Sequence, residues 1–250
     1  MDRLVYTALS GLKSHLASQA AIANNIANAS TVGYRADRVN FERLVMKGGN
    51  NELDSRAPAA EEVVDMDRRA GAIMSTGRNL DIAVQSDSWI GVQAADGSEA
   101  YTRRGDLQVT LAGTLETGDH FPVMGAGGPI TVPPYQSIEI AEDGRVLIVP
   151  QGAERGTPPQ EIGQVKLVSA TGSKTVKGLD NLLHVEGGGA LPADMTAKVR
   201  SGALEQSNVN LTQALVDMIE NQRSYEVQAN LLKEAKSMDE SAANLMRIQA

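Results

Sequence analysis

The chain has 250 residues, 42% hydrophobic but only 3% aromatic, which supplies aliphatic and alanine-rich cores for one or two domains and little surface for stacking bases or sugars. A formal charge of −8, from 23 basic and 31 acidic residues, opposes docking on phosphate backbones and argues against a nucleic-acid partner. No apolar run approaches the roughly 18 residues of a spanning helix, so direct membrane insertion is not expected.

From the N-terminus, Val5, Leu9, Leu12, Leu16, Ala23 and Ile26 recur at alternating four- and three-residue spacing, with Gln19 the polar member of the series. This is a heptad seam and predicts a helix over about residues 3 to 28. Asp2 is positioned to cap its start, and the turn-forming run Asn28-Ala29-Ser30-Thr31 leading to Gly33 stops it. Residues 1–34 are therefore read as the N-terminal helix of a helical domain. Residues 35–77 have weak periodicity, mixed charge and a Gly48-Gly49-Asn50-Asn51 stretch, and read as an extended or partly ordered connector.

All nine prolines and 21 of the 24 glycines lie between Gly33 and Ser201, the exceptions being Gly11, Gly33 itself and Gly202. In the same region the runs 81–84, 89–92, 137–140, 145–149 and 164–168 read as short strands. Asp96-Gly97 and Asp143-Gly144 read as hairpin turns, because glycine takes positive φ without steric cost. Residues 78–200 are thus expected to form a β-rich domain.

Residues 201–250 are read as the C-terminal helix of the helical domain. Leu211, Leu215, Met218, Gln222, Tyr225, Ala229 and Leu232 form one seam, which steps by one residue to Leu231, Ala235, Met238, Ala242 and Leu245. Such a step follows the drift of an uninterrupted 3.6-residue helix. Asn210 with Gln213 resembles a capping box, and neither Gly nor Pro follows Gly202. The fold class expected is α+β, with long N- and C-terminal helices packed together as a coiled-coil-like domain and a central β-rich domain. An apolar seam left in water forfeits about 25 cal/mol per Å², so both helices must pack. Periodicity alone leaves open whether they pack as an intramolecular hairpin or against other chains.

Nothing in the sequence assembles a reaction centre, so the chain is not expected to be an enzyme. Cysteine is absent, which excludes disulfides and thiolate chemistry. His15, His120 and His184 are far apart and read as surface or packing residues. Gly125-Ala126-Gly127-Gly128 and Gly187-Gly188-Gly189 are loops rather than phosphate cradles, since neither joins a strand to a helix. Glu61, Glu62, Asp65 and Asp67, followed by Arg68-Arg69, read as a solvated mixed-charge surface. No catalytic residue, cofactor or metal is assigned.

The segment Ala23-Asn24-Asn25-Ile26-Ala27-Asn28-Ala29-Ser30-Thr31-Val32-Gly33-Tyr34-Arg35 resembles the N-terminal signature of flagellar rod and hook proteins. Ser201-Gly202-Ala203-Leu204-Glu205-Gln206-Ser207-Asn208-Val209-Asn210, with Met218-Ile219 and Gln222-Arg223-Ser224-Tyr225-Glu226, resembles the C-terminal one. Gly77 to Val84 and Tyr101-Thr102-Arg103-Arg104-Gly105 are similar to the segment at the entry to the family's β domain. The opening residues and the length are most similar to the proximal-rod member. The chain departs from the pattern with Val32 in place of Pro and Tyr34 in place of Phe.

The resemblance implies a subunit of the flagellar basal-body rod, stacked helically into the drive shaft that transmits torque. Its partners would be other flagellar rod subunits and neighbouring axial proteins in a helical hetero-oligomer. Its place would be the periplasmic rod, reached by type III export without a cleaved signal peptide. A distal-rod or hook-type protein is the alternative, and an unrelated β-domain enzyme or binding module is a third. The residues expected at the assembly interface are Leu9, Leu12, Leu16, Asn24, Asn25, Ile26, Asn28, Leu211, Leu215, Met218, Gln222, Tyr225 and Leu232.

Overall fold

The computed structural model describes residues 2–43, 60–154 and 156–248. The chain divides into two units. One comprises Met1–Ala27, Asp37–Asp65 and Asn210–Ala250, and the other Asn28–Ala36 and Met66–Val209.

In the first unit the four-and-three seam forms helix α1, Asp2–Ala27, within a residue of its expected bounds. Asp2, the expected cap, is already helical, and its side chain lies outside the described residues, as does that of Val5. Two strands follow, β1 (Asp37–Arg43) and β2 (Ala60–Met66), and pair with each other. Both lie in the stretch read as a connector, whose Gly48–Asn51 run falls outside the described residues. Helix α2 runs from Leu211 to Ile248, 38 residues. Asn210 caps it through Oδ1, which accepts the Gln213 N–H at 3.2 Å, while the Gln213 amide donates forward to Asp217. Of the capping box, then, only the asparagine half is formed.

The second unit is built of short strands: β3 (Ile73–Ser75), β4 (Ile82–Val84), β5 (Ser88–Gln93), β6 (Glu99–Thr102), β7 (Gln108–Val109), β8 (Leu115–Glu116), β9 (Met124–Gly125) and β10 (Gly128–Pro129). There follow β11 (Tyr135–Ile140), β12 (Arg145–Pro150), β13 (Gln160–Gln164), β14 (Leu167–Ser169), β15 (Thr175–Lys177), β16 (Leu183–Val185), β17 (Val199–Ser201) and β18 (Ala203–Glu205). A five-stranded sheet has the order β14-β5-β6-β16-β15 and a three-stranded one β11-β12-β13. β17 pairs β4, and β18 pairs β3. Residues 201–209, grouped on sequence with the C-terminal helix, are therefore the end of β17, β18 and an extended exit. Their pairing with β3 lies outside the reach of any local pattern.

The two expected turns form as hairpins of the same construction. Ala94 N–H donates to the Ser98 carbonyl and Gly97 N–H to the Ala94 carbonyl, with Gly97 at φ 83°. The β11–β12 turn repeats this with Ala141, Arg145 and Gly144 at φ 84°. Each is a type I turn closed by a left-handed glycine.

The expected strand 164–168 is instead broken. Its first residue ends β13 in the three-stranded sheet and its last two belong to β14 in the five-stranded one. Val165 is buried at the crossing, bridging Gly125. A run of apolar residues does not disclose that the chain is changing sheets.

The five-stranded sheet is covered on both faces. Ile90, Val92, Ala100 and Leu167 join the larger core, with Leu107, Leu115, Val123, Ile140, Val146, Ile148 and Val199. Trp89, Tyr101, Val168 and Leu183 join a second, with Met66 and Leu191. Burial on both sides explains why β5 reads as a continuous apolar run rather than an alternating one.

Candidate functional site: outward helix faces and a buried arginine–glutamate knot

In the first unit α1 and α2 run antiparallel. His15 Nδ1 and Asn221 Oδ1 are 2.6 Å apart, and the Asn221 amide donates to the His15 carbonyl at 2.9 Å. One further step along, Gly11 lies so close to Gln228 that a Cβ at Gly11 would stand 2.7 Å from Gln228 Oε1. On α2 the more covered residues are Ala214, Met218, Asn221, Tyr225, Gln228, Ala229, Leu232 and Ala235, at four-and-three spacing apart from the adjacent pair Gln228–Ala229. This face shares Met218, Tyr225, Ala229 and Leu232 with the expected seam but replaces Leu215 and Gln222 by Ala214 and Asn221.

The contact between the helices joins these polar bonds to half-buried apolar residues, while several large apolar side chains are left exposed. Leu9 and Leu16 are 45% and 50% exposed on α1, and Leu211 and Leu215 are 47% and 46% exposed on α2. Val216, Ile219, Val227, Leu231 and Met238 are exposed as well. Of the remaining expected interface residues, Leu12, Ile26, Met218, Tyr225 and Leu232 are half-buried and Gln222 is exposed. The three asparagines serve the chain itself. Asn24 and Asn25 donate to the Asp37 carboxylate and carbonyl, and Asn25 Oδ1 accepts the Asp37 N–H at 2.7 Å. Asn28 caps a turn through Thr31, whose N–H and hydroxyl donate to its carbonyl and Oδ1.

In the second unit a charged knot is buried at the crossing of three chain segments. Arg35 Nη2 lies 2.7 Å from Glu205 Oε1 and Arg103 Nε lies 3.6 Å from Glu205 Oε2, all three side chains being 2% exposed. The guanidinium carbons of Arg35 and Arg103 stand 5.9 and 5.5 Å from the centre of the Trp89 ring, within cation–π range. Arg103 also donates to the carbonyls of Val84 and Ser86. Burial pulls the Arg103 guanidinium down to about 10, against the opposing pull of Glu205, and lowers Arg35 in the same way.

Glu205 joins the segments by its backbone too. Its carbonyl accepts the Gly33 N–H at 2.7 Å, and Oε1 accepts the Gly71 N–H at 2.9 Å. Asn208 continues the seam, accepting from Ala36 N–H and donating to the carbonyls of Asp67 and Arg69. Gly33, at φ 68°, has no room for a side chain: a Cβ would stand 2.4 Å from the Arg103 carbonyl carbon. Asp67, read as part of a solvated surface, is 6% exposed and gripped by Arg69, whereas the side chains of Glu61, Glu62 and Asp65 lie outside the described residues.

Sequence reasoning did not find this knot. Arg35, Arg103 and Glu205 each fall inside a segment that carried the family resemblance, but nothing local pairs residues so distant. The histidines remain separate: His15 bonds Asn221, His120 faces Glu116, and His184 faces Asp180. Among the described residues no group of three or more His, Asp or Glu could hold a metal ion.

Residues 5–35 match the family model described as flagella basal body rod protein, and residues 200–245 match the flagellar basal body rod FlgEFG protein C-terminal region. Residues 83–148 match the flagellar hook protein FlgE/F/G D1 domain. The chain is 40% identical to the flagellar basal-body rod protein FlgF of Escherichia coli K12 over 248 residues, 97% of this chain and 96% of that protein. It belongs to the flagellar basal-body rod protein family. The FlgF of Salmonella typhimurium is likewise 40% identical, over 96% of each chain. The FlgG of Bacillus subtilis is 33% identical over 99% of this chain and all of that protein. A rod protein of this family is a structural part of the flagellar basal body, and that membership puts the exposed helix faces and the knot in context. No described helix is long and apolar enough to cross a membrane.

Proposed function

We propose that the chain is a subunit of the proximal rod, packing through its terminal helices against other rod subunits and neighbouring axial proteins in a helical hetero-oligomer that transmits torque. The observation that carries this reading is the disposition of the helices. Gly11, His15, Asn221 and Gln228 meet between them, while Leu9, Leu16, Leu211, Leu215 and Ile219 are left outside. Leucines at that exposure lose about 25 cal/mol per Å² until covered, and a rod supplies neighbouring helices to cover them. On this reading the assembly interface comprises Leu9, Leu12, Leu16, Ile26, Leu211, Leu215, Met218, Gln222, Tyr225 and Leu232. Asn24, Asn25 and Asn28 belong to it by fixing the end of α1.

The proximal position is favoured by the 40% identity to FlgF proteins against 33% to the FlgG of Bacillus subtilis. A distal-rod or hook-type role is the second reading, favoured by the near-complete coverage of FlgG and by the hook-protein D1 match. The chain would act in the periplasmic part of the basal body. Cryo-electron microscopy of purified basal bodies tests the reading. Density for this chain in the proximal rod is the expected result, density further from the cell body moves it to the second reading, and its absence from the rod refutes both.

A further inference from the structure

Beside the knot, and within the same unit, a small pocket of about 70 Å³ opens to solvent, lined by Arg68, Asp87, Trp89, Arg103, Ala170 and Thr171. Around it three guanidinium groups, Arg35, Arg68 and Arg103, face two carboxylates: Glu205, and Asp87, whose charge acts on both buried arginines. Asp67 acts on Arg35 as well but also holds Arg69, so counting that pair leaves four guanidiniums against three carboxylates. The hydrogen-bond inventory has the same shortfall. Arg35 Nε and Nη1 and Arg103 Nε are buried without a hydrogen-bond acceptor among the described residues. Trp89, 6% exposed, lines the pocket beside them. Arg68 donates to the Thr175 hydroxyl at 3.1 Å.

Donors in excess of acceptors beside an open pocket select an anionic acceptor, and a guanidinium's planar fork matches a carboxylate. We propose that this pocket receives an aspartate or glutamate side chain from an adjacent rod subunit, which becomes the third carboxylate of the knot. The inference rests on the rod reading for the source of that side chain. This chain itself carries 31 acidic against 23 basic residues, so carboxylates are what a neighbour of similar composition presents. Arg68, exposed at the rim, makes the first contact, and the Trp89 ring forms the wall between it and the buried arginines.

Trp89 is the chain's one tryptophan, so its emission reports the pocket directly. The full chain is titrated with sodium acetate, and with sodium chloride at matched ionic strength. Acetate is expected to give a saturable change that chloride does not. Arg68→Gln should raise the half-saturating acetate about tenfold, equivalent to about 1.4 kcal/mol. Identical acetate and chloride curves, or an unaltered Arg68→Gln, overturn the site. A second arm places Arg68→Glu in flagellated cells and asks whether the folded variant enters the rod. Loss of incorporation is expected, and normal incorporation overturns the adjacent-subunit source even where acetate binds. Failure of the rod reading would show separately, as absence of the wild-type chain from basal bodies.

Discussion

Arg35 and Glu205, from opposite ends of the chain, form an ion pair at 2.7 Å with both side chains 2% exposed. Removing one member of such a pair is far costlier than the pair is worth, because a buried charge is left unmatched. Glu205→Gln should therefore destabilise the second unit by about 3–5 kcal/mol, read by urea denaturation followed at Trp89. Replacing Arg35 and Glu205 together by well-packed apolar residues should recover part of that loss. A double variant no better than Glu205→Gln alone would show that the backbone contacts of this crossing, not its charge balance, dominate.

Tyr101 is fully buried, its hydroxyl oxygen accepting the Leu191 N–H at 2.6 Å. Burial pushes the phenol up to about 12. An ordinary tyrosine ionises near 10, so the folded state holds a proton that the unfolded state has released between those values. The resulting stability is present below about pH 10 and lost as pH rises through about 12. Arg103, lowered to about 10, runs the other way: its burial cost is felt below that pH and relieved above it. Absorbance titration of the five tyrosines separates the two. One late step is expected, and Tyr101→Phe should abolish it.

Leu215→Asp and Leu16→Asp should each reduce incorporation into basal bodies about tenfold or more, a change of about 1.4 kcal/mol or above. Both positions are about half exposed, so circular dichroism of the β-rich unit should not change. Incorporation at the wild-type level would remove these leucines from the interface.

Gly33→Ala should also fail locally. A left-handed alanine costs about 1–2 kcal/mol before any clash, and here the Cβ would meet the Arg103 backbone at 2.4 Å. Thermal denaturation should show a lowered midpoint, whereas Gly97→Ala, with open space around its Cβ position, should pay only the conformational cost.

The helices were legible because their periodicity is carried by the residues themselves. The N-terminal seam placed α1 to within a residue, and Asn210 marked the start of α2. The face each helix turns to its neighbour was legible only in part. The seam correctly included Met218, Tyr225 and Leu232 but favoured Leu215 and Gln222 where the covered residues are Ala214 and Asn221, since the polar bonds of His15 and Asn221 leave no apolar trace. The same limit hid the knot: Arg35, Arg103 and Glu205 become partners only through the β3–β18 pairing and the turn at Gly33. The strand expected over 164–168 failed for a related reason, because a sheet change at Val165 preserves hydrophobicity while ending the pairing.

In the pairing of β3 with β18, Ile73 stands opposite Glu205 at one end and Ser75 opposite Ala203 at the other. Chain enters β3 and leaves β18 at the same end, so tension drawing those two segments apart would open the ladder rung by rung, like a zipper, rather than shear all its rungs together. The first rung to be loaded is the Glu205 one, and it is there that Gly33, Gly71 and Arg35 converge. The fold thus gathers several bonds where peeling would begin, and a variant weakened at Glu205 should yield to pulling force earlier than its loss of equilibrium stability alone would indicate.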